Sequence, residues 1–233
     1  MKVYFVGAGP GDPELITIKG KRLIEQADLI IYAGSLVNDA LLRNAKGEKV
    51  NSYGLTLEQI TSLIVDAATD GRRVVRLHSG DPSLYSAVAE QINALKANGI
   101  DYEIVPGVSS VFAAAAALGR QLTSDTLIIT RPAGKTLNED QLPELSKLRS
   151  PMAIFLGADK IEDVMRRVQR DAATPVRVVY HASWSDQVIV QGTVADICTK
   201  SRKAGIVKSA IILIGDEHDS EGDRRSYLYS PKT

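Results

Sequence analysis

The feature that most constrains the fold of this chain is a regular alternation of short β-like runs with stretches of helical periodicity. In the first half, strands are predicted at 3–6, 29–32, 73–77 and 102–105. Between them, apolar residues recur at three- and four-residue spacing around 16–27, 57–68 and 84–95. This alternation predicts a largely parallel sheet that is covered by helices on both faces.

A second series of such runs follows an alanine-rich stretch. Residues 109–118 are predicted to form a closely packed helix that ends at Gly119, and a polar patch follows at 120–125. Further strands are predicted at 126–129, 153–156, 176–180, 188–191 and 210–214, with helices around 142–148, 161–170 and 194–203. The short connection before 188–191 allows antiparallel pairing in this half. We therefore predict an α/β protein with two α/β domains, at 1–119 and 120–233.

Charge and cysteine usage exclude several classes of function. The 28 basic and 28 acidic side chains cancel, so no overall field would attract nucleic acid or an anionic membrane surface. Apolar runs are far shorter than the roughly 20 residues that cross a bilayer, and the N-terminus reads into a strand rather than a signal peptide. A cytoplasmic location is expected. The three histidines have no metal-ligand spacing, and the single cysteine, Cys198, is interpreted as buried filler, so no metal site is predicted.

Four loops that follow predicted strands carry the residues best suited to ligand binding. Ligands of open α/β sheets bind outside the carboxyl ends of the strands, which is where these loops lie. We name them loop 1 (7–13), loop 2 (33–37), loop 3 (77–85) and loop 4 (105–110). Four such loops at one edge of a sheet describe a pocket.

Loop 1 argues against a dinucleotide-binding fold. In a G-x-G-x-x-G pattern that starts at Gly7, the third glycine position is occupied by Asp12, whose charge would repel a pyrophosphate. Pro10 and Pro13 also remove two amide donors. The acid that would hold a ribose after the second strand is missing, because Asp28 precedes that strand. An NAD-type dehydrogenase is therefore disfavoured, and a tight structural turn is the alternative interpretation of loop 1.

The other loops each allow a structural and a functional interpretation. In loop 2, Gly34 and Ser35 permit close approach of a ligand, or Ser35 caps a helix. In loop 3, Asp81 accepts hydrogen bonds from hydroxyl or ammonium groups, or caps a helix in which Pro82 occupies the first turn. In loop 4, Ser109 and Ser110 cap a helix or bind the polar edge of a ligand.

Seven motifs in a fixed order carry a resemblance to a known family. They are VGAGPGDPELIT, SGDPSLY, VPGVSS, IFLGA, TPVRVVYHAS, QGTVADI and SAIILIG. In this ordered set the chain resembles the tetrapyrrole methyltransferases, which methylate ring carbons of uroporphyrinogen III and precorrins with S-adenosylmethionine. The segments YAGSLV (32–37) and RLHSGDPSLY (76–85) resemble the branch that methylates precorrin-4 or cobalt-precorrin-4 at C-11. The uroporphyrinogen branch reads more like DALVS and KGGDPFVFGRG, and Ala87 stands where that second motif has its arginine.

The resemblance implies a cofactor site in a cleft between two lobes, and a homodimer. S-adenosylmethionine would contact the first lobe through residues of loops 1, 3 and 4: Pro10, Ser79, Gly80, Asp81, Leu84, Ser109 and Ser110. From the second lobe, the motifs carry over Leu156, Ala182 and Ala210, for which core packing is the alternative role.

A small tetrapyrrole with several carboxylates would need local cations. Arg131 and Lys135 offer two without an intervening acid, and Arg76 adjoins loop 3; exposed charged loops are the alternative interpretation. Gly34, Ser35 and His78 complete the predicted substrate-binding set. Methyl transfer needs alignment and exclusion of water rather than a nucleophilic side chain, so no catalytic residue is assigned. His78 is a candidate base by position, or a satisfied structural group.

Three further functions stay open at this point. Another tetrapyrrole C-methyltransferase of the family would share these motifs. A methyltransferase of the same architecture acting on a macromolecule, such as a diphthine synthase or a ribosomal-RNA enzyme, is disfavoured for RNA by the neutral charge balance. A non-catalytic nucleotide-sensing module would bind S-adenosylmethionine without producing S-adenosylhomocysteine.

Overall fold

The computed structural model describes residues 2–122, 125–134 and 137–215, which form two compact units. The first unit comprises 2–118, 179–189 and 209–211. The second comprises the described residues of 119–178, 190–208 and 212–215. The long segment of the first unit thus ends next to Gly119, and two short later segments join it.

The first sheet has five parallel strands. They are β1 (Lys2–Gly7), β2 (Leu29–Tyr32), β3 (Glu48–Asn51), β4 (Val74–His78) and β5 (Asp101–Val105), in the order β3-β2-β4-β1-β5. The parallel sheet predicted from the sequence is confirmed. Strand β3 was not predicted, because this edge strand is short and three of its four residues are exposed, so it lacks a buried apolar run.

Helices α1 (Ile18–Glu25), α2 (Leu57–Thr69), α3 (Val88–Ala97) and α4 (Ser110–Ala117) belong to the same unit. Helix α1 begins where the Thr17 hydroxyl accepts a hydrogen bond from the Gly20 amide, and α2 begins at a capping box of Thr56 and Gln59. The helix predicted at 109–118 is confirmed as α4, and Gly119 follows it with a φ of 65°.

Both faces of the first sheet are covered by apolar residues. One cluster contains Ile24 of α1 with Ile30 and Leu77, and the other contains Ile64 of α2 with Phe5. All five side chains are at most 1% exposed. Burial of such side chains stabilises a fold by about 1.5–3 kcal/mol each, which fixes the sheet and hence the positions of the loops at its edge.

The predicted start of α3 was wrong. Pro82 does not lie in a first helical turn, because α3 begins only at Val88, after two residues in the left-handed region, Tyr85 (φ 55°) and Ala87 (φ 51°). Local side-chain hydrogen bonds stabilise the non-helical loop: the Ser83 amide donates to Asp81, and the Ser86 hydroxyl donates to the Pro82 carbonyl.

The second sheet is mixed. Its strands are β6 (Ile128–Thr130), β7 (Met152–Ile154), β8 (Pro175–Tyr180), β9 (Val188–Thr193) and β10 (Ala210–Ile214), in the order β6-β7-β10-β8-β9. Strands β6 and β7 are parallel, whereas β7 and β10 are antiparallel, as the sequence allowed for this half. Helices α5 (Leu142–Ser146), α6 (Ile161–Arg167) and α7 (Ile197–Lys203) are shorter than predicted. Within the described ranges, no helix is long and apolar enough to span a membrane.

Candidate functional site

Three glycines bring loops 1, 3 and 4 into backbone contact. A Cβ atom on Gly7 would lie 2.6 Å from both the Gly107 Cα and the Gly80 carbonyl oxygen, and one on Gly107 would lie 2.3 Å from that oxygen. Gly9 and Gly80 also form an isolated antiparallel bridge, in which the Gly80 amide donates to the Gly9 carbonyl at 2.8 Å. Only residues without a side chain allow three strand ends to meet this closely.

The Asp81 carboxylate joins loop 3 to loop 4. One of its oxygens accepts from the Gly107 amide at 2.8 Å, and the other accepts from the Ser83 amide at 2.8 Å. A charged acceptor shared by two backbone amides forms a strong tie. Asp81 therefore has a structural role at the loop cluster, and it caps the turn at 81–84 rather than α3.

Residues 181–187, which we name the clasp loop, contact loop 1 within the first unit. The Trp184 indole Nε1–H donates to the Pro10 carbonyl at 2.8 Å, and the Ser183 hydroxyl accepts from the Asp12 amide at 3.0 Å. A Cβ on Gly11 would lie 2.0 Å from Trp184 Cδ1, so the indole fits against this glycine. Loop 1 is thus held by side chains about 170 residues away in the sequence.

The clasp loop has an unusual backbone and a stack of rings. His181 and Ser183 are in the left-handed region, with φ of 45° and 71°. The His181 ring stacks on Tyr180 at 3.8 Å between centroids and lies 5.3 Å from the Trp184 ring. Its Nδ1 is 2.9 Å from an oxygen of Asp186. These contacts hold in place a conformation that costs about 1–3 kcal/mol for each such residue.

Most of the predicted cofactor-binding residues lie in the first unit. Those of loops 1 and 3 are all partly exposed: Pro10, Ser79, Gly80, Asp81 and Leu84. Ser109 is buried and caps α4 by accepting from the Val111 amide, whereas Ser110 is the first residue of α4 and is half-buried.

The three residues carried over from the later motifs have different surroundings. Ala182 and Ala210 are buried and belong to the first unit. They lie close together along the backbone, since the His181 amide donates to the Ser209 carbonyl at 3.2 Å. Leu156 belongs to the second unit, is 58% exposed and has a φ of 51°. An exposed leucine in a strained conformation is not explained by core packing.

The predicted substrate-binding residues of loop 2 lie at the ends of β2 and β3. The Gly34 amide donates to the Asn51 side chain at 3.1 Å, and a Cβ on Gly34 would lie 2.3 Å from that side-chain amide. Ser35 is exposed and does not cap a helix, because no helix starts there. Loop 2 therefore approaches a neighbouring side chain closely and leaves its serine accessible.

Arg76 and His78 are both buried in β4. Arg76 is 7% exposed, and its guanidinium donates to the Ile31 carbonyl at 3.2 Å and to the Ser52 hydroxyl at 3.3 Å. Burial lowers the pKa of Arg76 to about 10, so it stays charged near neutrality. The structure thus places Arg76 as a tie between strand ends.

His78 is 6% exposed, and its Nε2 has no hydrogen-bond partner among the residues that the structure describes. Burial, with a smaller contribution from the Arg76 charge, lowers the pKa of His78 to about 3. The imidazole is therefore neutral at physiological pH. A buried ring with so low a pKa is a poor proton acceptor, which favours the structural interpretation of this residue.

Arg131 lies in the second unit, after β6, and Lys135 lies outside the described residues. The chain beside Arg131 is fixed by Asp140, whose side chain is 1% exposed. Asp140 accepts from both terminal nitrogens of Arg167, at 2.9 and 2.6 Å, and from the Ala133 amide. Burial alone would raise the pKa of Asp140, but these hydrogen bonds hold it below its usual value.

Sequence reasoning did not identify three side chains that hold loop 1: Asn38, Ser183 and Trp184. Asn38 donates to the Gly11 carbonyl at 2.9 Å. The one available signal was Trp184, the single tryptophan of a chain with 5% aromatic residues, directly after the YHAS motif. Ser183 is the last residue of that motif, but no local pattern links Ser183 or Asn38 to loop 1, because their partners are remote in sequence.

Neither a metal centre nor a reactive thiol is supported in the part of the chain that the structure describes. Among those residues, no cluster of three or more His, Cys, Asp or Glu side chains could hold a metal ion. Cys198 is only partly buried, so the interpretation as buried filler was wrong. Its thiol donates to the Ile161 carbonyl at 3.6 Å, and burial raises its pKa. Such a thiol is mostly protonated at neutral pH and is a weak nucleophile.

Glycine-lined loops, small residues and hydroxyls at the carboxyl edge of a parallel sheet are typical of α/β enzymes that bind a nucleoside-bearing cofactor at this edge. The chain belongs to the Tetrapyrrole (Corrin/Porphyrin) Methylases, whose family pattern it matches over residues 2–198.

Within this family, the chain is similar to methyltransferases of one particular kind. The chain is 54% identical to the cobalt-precorrin-4 C(11)-methyltransferase of Methanocaldococcus jannaschii, over 98% of this chain and 92% of that protein. It is 47% identical to the precorrin-4 C(11)-methyltransferase of Pseudomonas aeruginosa, over 98% of this chain and 95% of that protein. Both relatives are matched over nearly their whole lengths.

Two solved structures are also similar. A cobalt precorrin-4 methyltransferase of cobalamin biosynthesis has a TM-score of 0.87 and 44% identity, covering 92% of this chain and 94% of that one. A uroporphyrin-III C-methyltransferase from Thermus thermophilus, complexed with S-adenyl homocysteine, has a TM-score of 0.80 and 28% identity, covering 93% and 98%. The greater similarity is to the precorrin-4 branch, as the motifs in loops 2 and 3 predict.

Proposed function

We propose that this protein transfers the methyl group of S-adenosylmethionine to C-11 of precorrin-4 or cobalt-precorrin-4, in cobalamin biosynthesis. The observation that carries the proposal is the 54% identity, over 98% of the chain, to a cobalt-precorrin-4 C(11)-methyltransferase. The identity to relatives with the same regiochemistry extends through both units, so it includes the loops that would hold both reactants.

The chemistry of loops 1, 3 and 4 fits a nucleoside-bearing sulfonium donor. The loops meet through backbone at Gly7, Gly80 and Gly107, which leaves main-chain groups rather than large side chains at the carboxyl edge of the sheet. Ser79, on loop 3, adds a partly exposed hydroxyl. We assign Pro10, Ser79, Gly80, Asp81, Leu84, Ser109, Ser110, Leu156, Ala182 and Ala210 to the cofactor site.

The cofactor supplies an activated methyl group when it is bound. Methyl transfer to a ring carbon is an in-line displacement, so the protein contributes by holding the reactants in line and by excluding water. The tightly packed loops 1, 3 and 4 suit this role, because a rigid backbone orients a ligand without reorganising during the reaction. His78 is buried and has a pKa of about 3, which does not suit a base at neutral pH.

The carboxylates of the tetrapyrrole require cations, and we assign Arg131 and Lys135 to them. Arg131 follows β6 in a segment anchored by Asp140 and Arg167, so its backbone is held by a charge-assisted network. Guanidinium groups bind carboxylates with paired hydrogen bonds. Gly34 and Ser35 of loop 2 complete the proposed substrate-binding set, with Ser35 exposed.

Incubation with methyl-labelled S-adenosylmethionine and a panel of precorrins, with uroporphyrinogen III included, tests the reaction. We expect label in cobalt-precorrin-4 or precorrin-4, with the new methyl carbon assigned to C-11 by NMR. Label in uroporphyrinogen III instead would place the protein in another branch of the family. Binding of S-adenosylmethionine without any S-adenosylhomocysteine produced would indicate a sensing module.

An Arg131→Ala variant tests whether Arg131 binds the tetrapyrrole and not S-adenosylmethionine. Calorimetry should show weaker tetrapyrrole binding and unchanged S-adenosylmethionine binding, with Arg166→Ala as a matched control at an exposed arginine of the same unit. Equal loss of both ligands would reject the assignment. We also infer a cytoplasmic location and a homodimer, and analytical ultracentrifugation tests the homodimer.

A further inference from the structure

We propose that Trp184 and Ser183 are positioning residues for the cofactor site, through which the clasp loop sets the conformation of loop 1. This inference rests on the proposed function, since it concerns the residues assigned there to S-adenosylmethionine. Two of those residues, Pro10 and Ala182, are 172 positions apart in the sequence. They lie on the two loops that Trp184 and Ser183 join.

Three contacts converge on three consecutive residues of loop 1. The Trp184 indole donates to the Pro10 carbonyl, the ring covers Gly11, and the Ser183 hydroxyl accepts from the Asp12 amide. Backbone groups in a loop with two prolines form few hydrogen bonds with other backbone groups. Side chains must therefore satisfy them. The clasp loop therefore fixes the part of loop 1 where Pro10 is assigned to the cofactor.

The clasp loop is itself strongly constrained, which makes it suited to fix another segment. The Ser183 amide donates to the Gln187 side chain at 2.8 Å, and the Trp184 amide donates to the His181 carbonyl at 2.9 Å. The His181 ring is held against Asp186 and contacts the rings of Tyr180 and Trp184. Left-handed residues persist only where their surroundings determine them, and such residues cluster at ligand-binding sites.

Gly11 provides a specific test of the contact with Trp184. Its backbone is not in the left-handed region, so alanine is tolerated there unless the indole blocks it. Gly11→Ala should therefore weaken S-adenosylmethionine binding in the wild-type background. In a Trp184→Ala background the same change should have a smaller effect, because the three atoms nearest to the added methyl group all belong to the indole.

The experiment measures S-adenosylmethionine binding by calorimetry, and KM and kcat by methyl transfer to cobalt-precorrin-4. Trp184→Phe and Ser183→Ala each remove one hydrogen bond, and we expect each to weaken cofactor binding about five- to tenfold. At saturating cofactor, kcat and the KM of the tetrapyrrole should stay unchanged. Ser183→Gly, which suits the left-handed φ of 71° but lacks the hydroxyl, should weaken binding as Ser183→Ala does. Tyr53→Phe, at an 84% exposed ring, is the control for loss of an aromatic polar atom.

Trp184 also offers a spectroscopic signature, because it is the single tryptophan of the chain. Its emission should change on titration with S-adenosylmethionine and saturate at the calorimetric Kd. Each of three results would overturn the inference. The first is unaltered S-adenosylmethionine binding in Trp184→Phe and Ser183→Ala, and the second is Trp184 emission that does not change during the titration. The third is a loss of S-adenosylmethionine affinity in the Gly11→Ala, Trp184→Ala double variant that equals the sum of the two single losses. If the wild-type protein binds no S-adenosylmethionine, the proposed function fails instead.

Discussion

The Asp81 carboxylate lies 2.8 Å from the backbone amide of Gly107, a residue 26 positions later in the chain. This hydrogen bond joins the loops that follow β4 and β5, which are not neighbours in the sheet because β1 lies between them. Gly7 at the end of β1 lies between the two loops and contacts both through backbone. The ends of β4, β1 and β5 are therefore held together by one charged acceptor and three glycines.

An Asp81→Asn variant should separate loop 3 from loop 4. An amide side chain offers one oxygen acceptor where the carboxylate serves two backbone donors, and its NH2 group would face one of those donors. Hydrogen bonds to charged groups contribute about 1.5–3 kcal/mol, so we expect a loss of about 2 kcal/mol in the free energy of unfolding. Urea titration measures it, with the exposed Glu90→Gln as a control. A variant as stable as the wild type would contradict the role given to Asp81.

A Gly107→Ala variant should be among the most destabilising single changes in the first unit. The added Cβ would lie 2.3 Å from the Gly80 carbonyl oxygen and 2.8 Å from the Gly7 Cα, and backbone must move to relieve this contact. We expect a loss of about 3 kcal/mol, at the upper end for overpacking. Thermal unfolding measures it.

Gly99→Ala is the matched control for that change. Gly99 has a φ of 64°, and no atom of the described residues lies within 4 Å of the position that its Cβ would take. Alanine there therefore incurs only the conformational cost of about 1 kcal/mol. A similar loss of stability in Gly107→Ala and Gly99→Ala would show that the close contact between the three loops is not the main cause of the Gly107→Ala effect.

His78 should make the protein less stable as the pH falls below neutrality. Its pKa is about 3 in the folded state and near 6.5 when unfolded, so between these values the unfolded state binds more protons. Stability from this group is complete above pH 6.5 and decreases as the pH falls from there toward 3. Between pH 7 and pH 5 the loss amounts to about 2 kcal/mol.

The comparison that isolates this effect is urea unfolding of the wild type and of His78→Gln at both pH values. This interval lies above the pH range in which most carboxylates titrate, so the difference between the two proteins reports the histidine. Equal pH dependence in both proteins would mean that His78 is not buried in its neutral form.

Asp140 and Arg167 should stabilise the second unit much more than an exposed ion pair does. The Asp140 side chain is 1% exposed and accepts two hydrogen bonds from Arg167, which is itself 28% exposed. Allowing for this partial exposure of the arginine, we expect Asp140→Asn to cost about 2 kcal/mol. Arg166→Ala, which breaks an exposed pair with Asp163, should change stability by less than about 1 kcal/mol.

Chemical denaturation and tetrapyrrole binding together test this network. Asp140→Asn should weaken binding of the tetrapyrrole as well as lower stability. The reason is that the amide of Ala133, two residues after Arg131, loses its charged acceptor. Unchanged tetrapyrrole binding in that variant would remove the support for Arg131 as a substrate contact.

Local patterns were sufficient where burial and geometry are periodic. The buried runs of β1, β2 and β4 and the apolar faces of α1 and α2 indicated the parallel sheet and its covering helices. They were not sufficient at β3, whose residues are mostly exposed, or at the start of α3. There, hydrogen bonds of Asp81 and Ser86 with nearby backbone outweigh a helical spacing that begins at Leu84.

The same contrast applies to the candidate site. Glycine position and motif order pointed to the loops at the sheet edge and to the family. These patterns did not show that Arg76 and His78 are buried. Both residues lie on β4, where loop 3 begins, and the sequence alone did not distinguish them from residues that face a ligand. The alternation of residues along a strand does not predict how deeply each side chain is buried. Only the packing of neighbouring elements decides this.

The sequence by itself determined the parallel sheet, the four glycine-bearing loops and the family, because each depends on residues close together in the chain. Tertiary structure alone decided which distant groups meet: Trp184 with Pro10, Asp81 with Gly107, and Arg167 with Asp140. The physical reason is that such hydrogen bonds depend on distances between separate elements, which are fixed only after the apolar faces have packed.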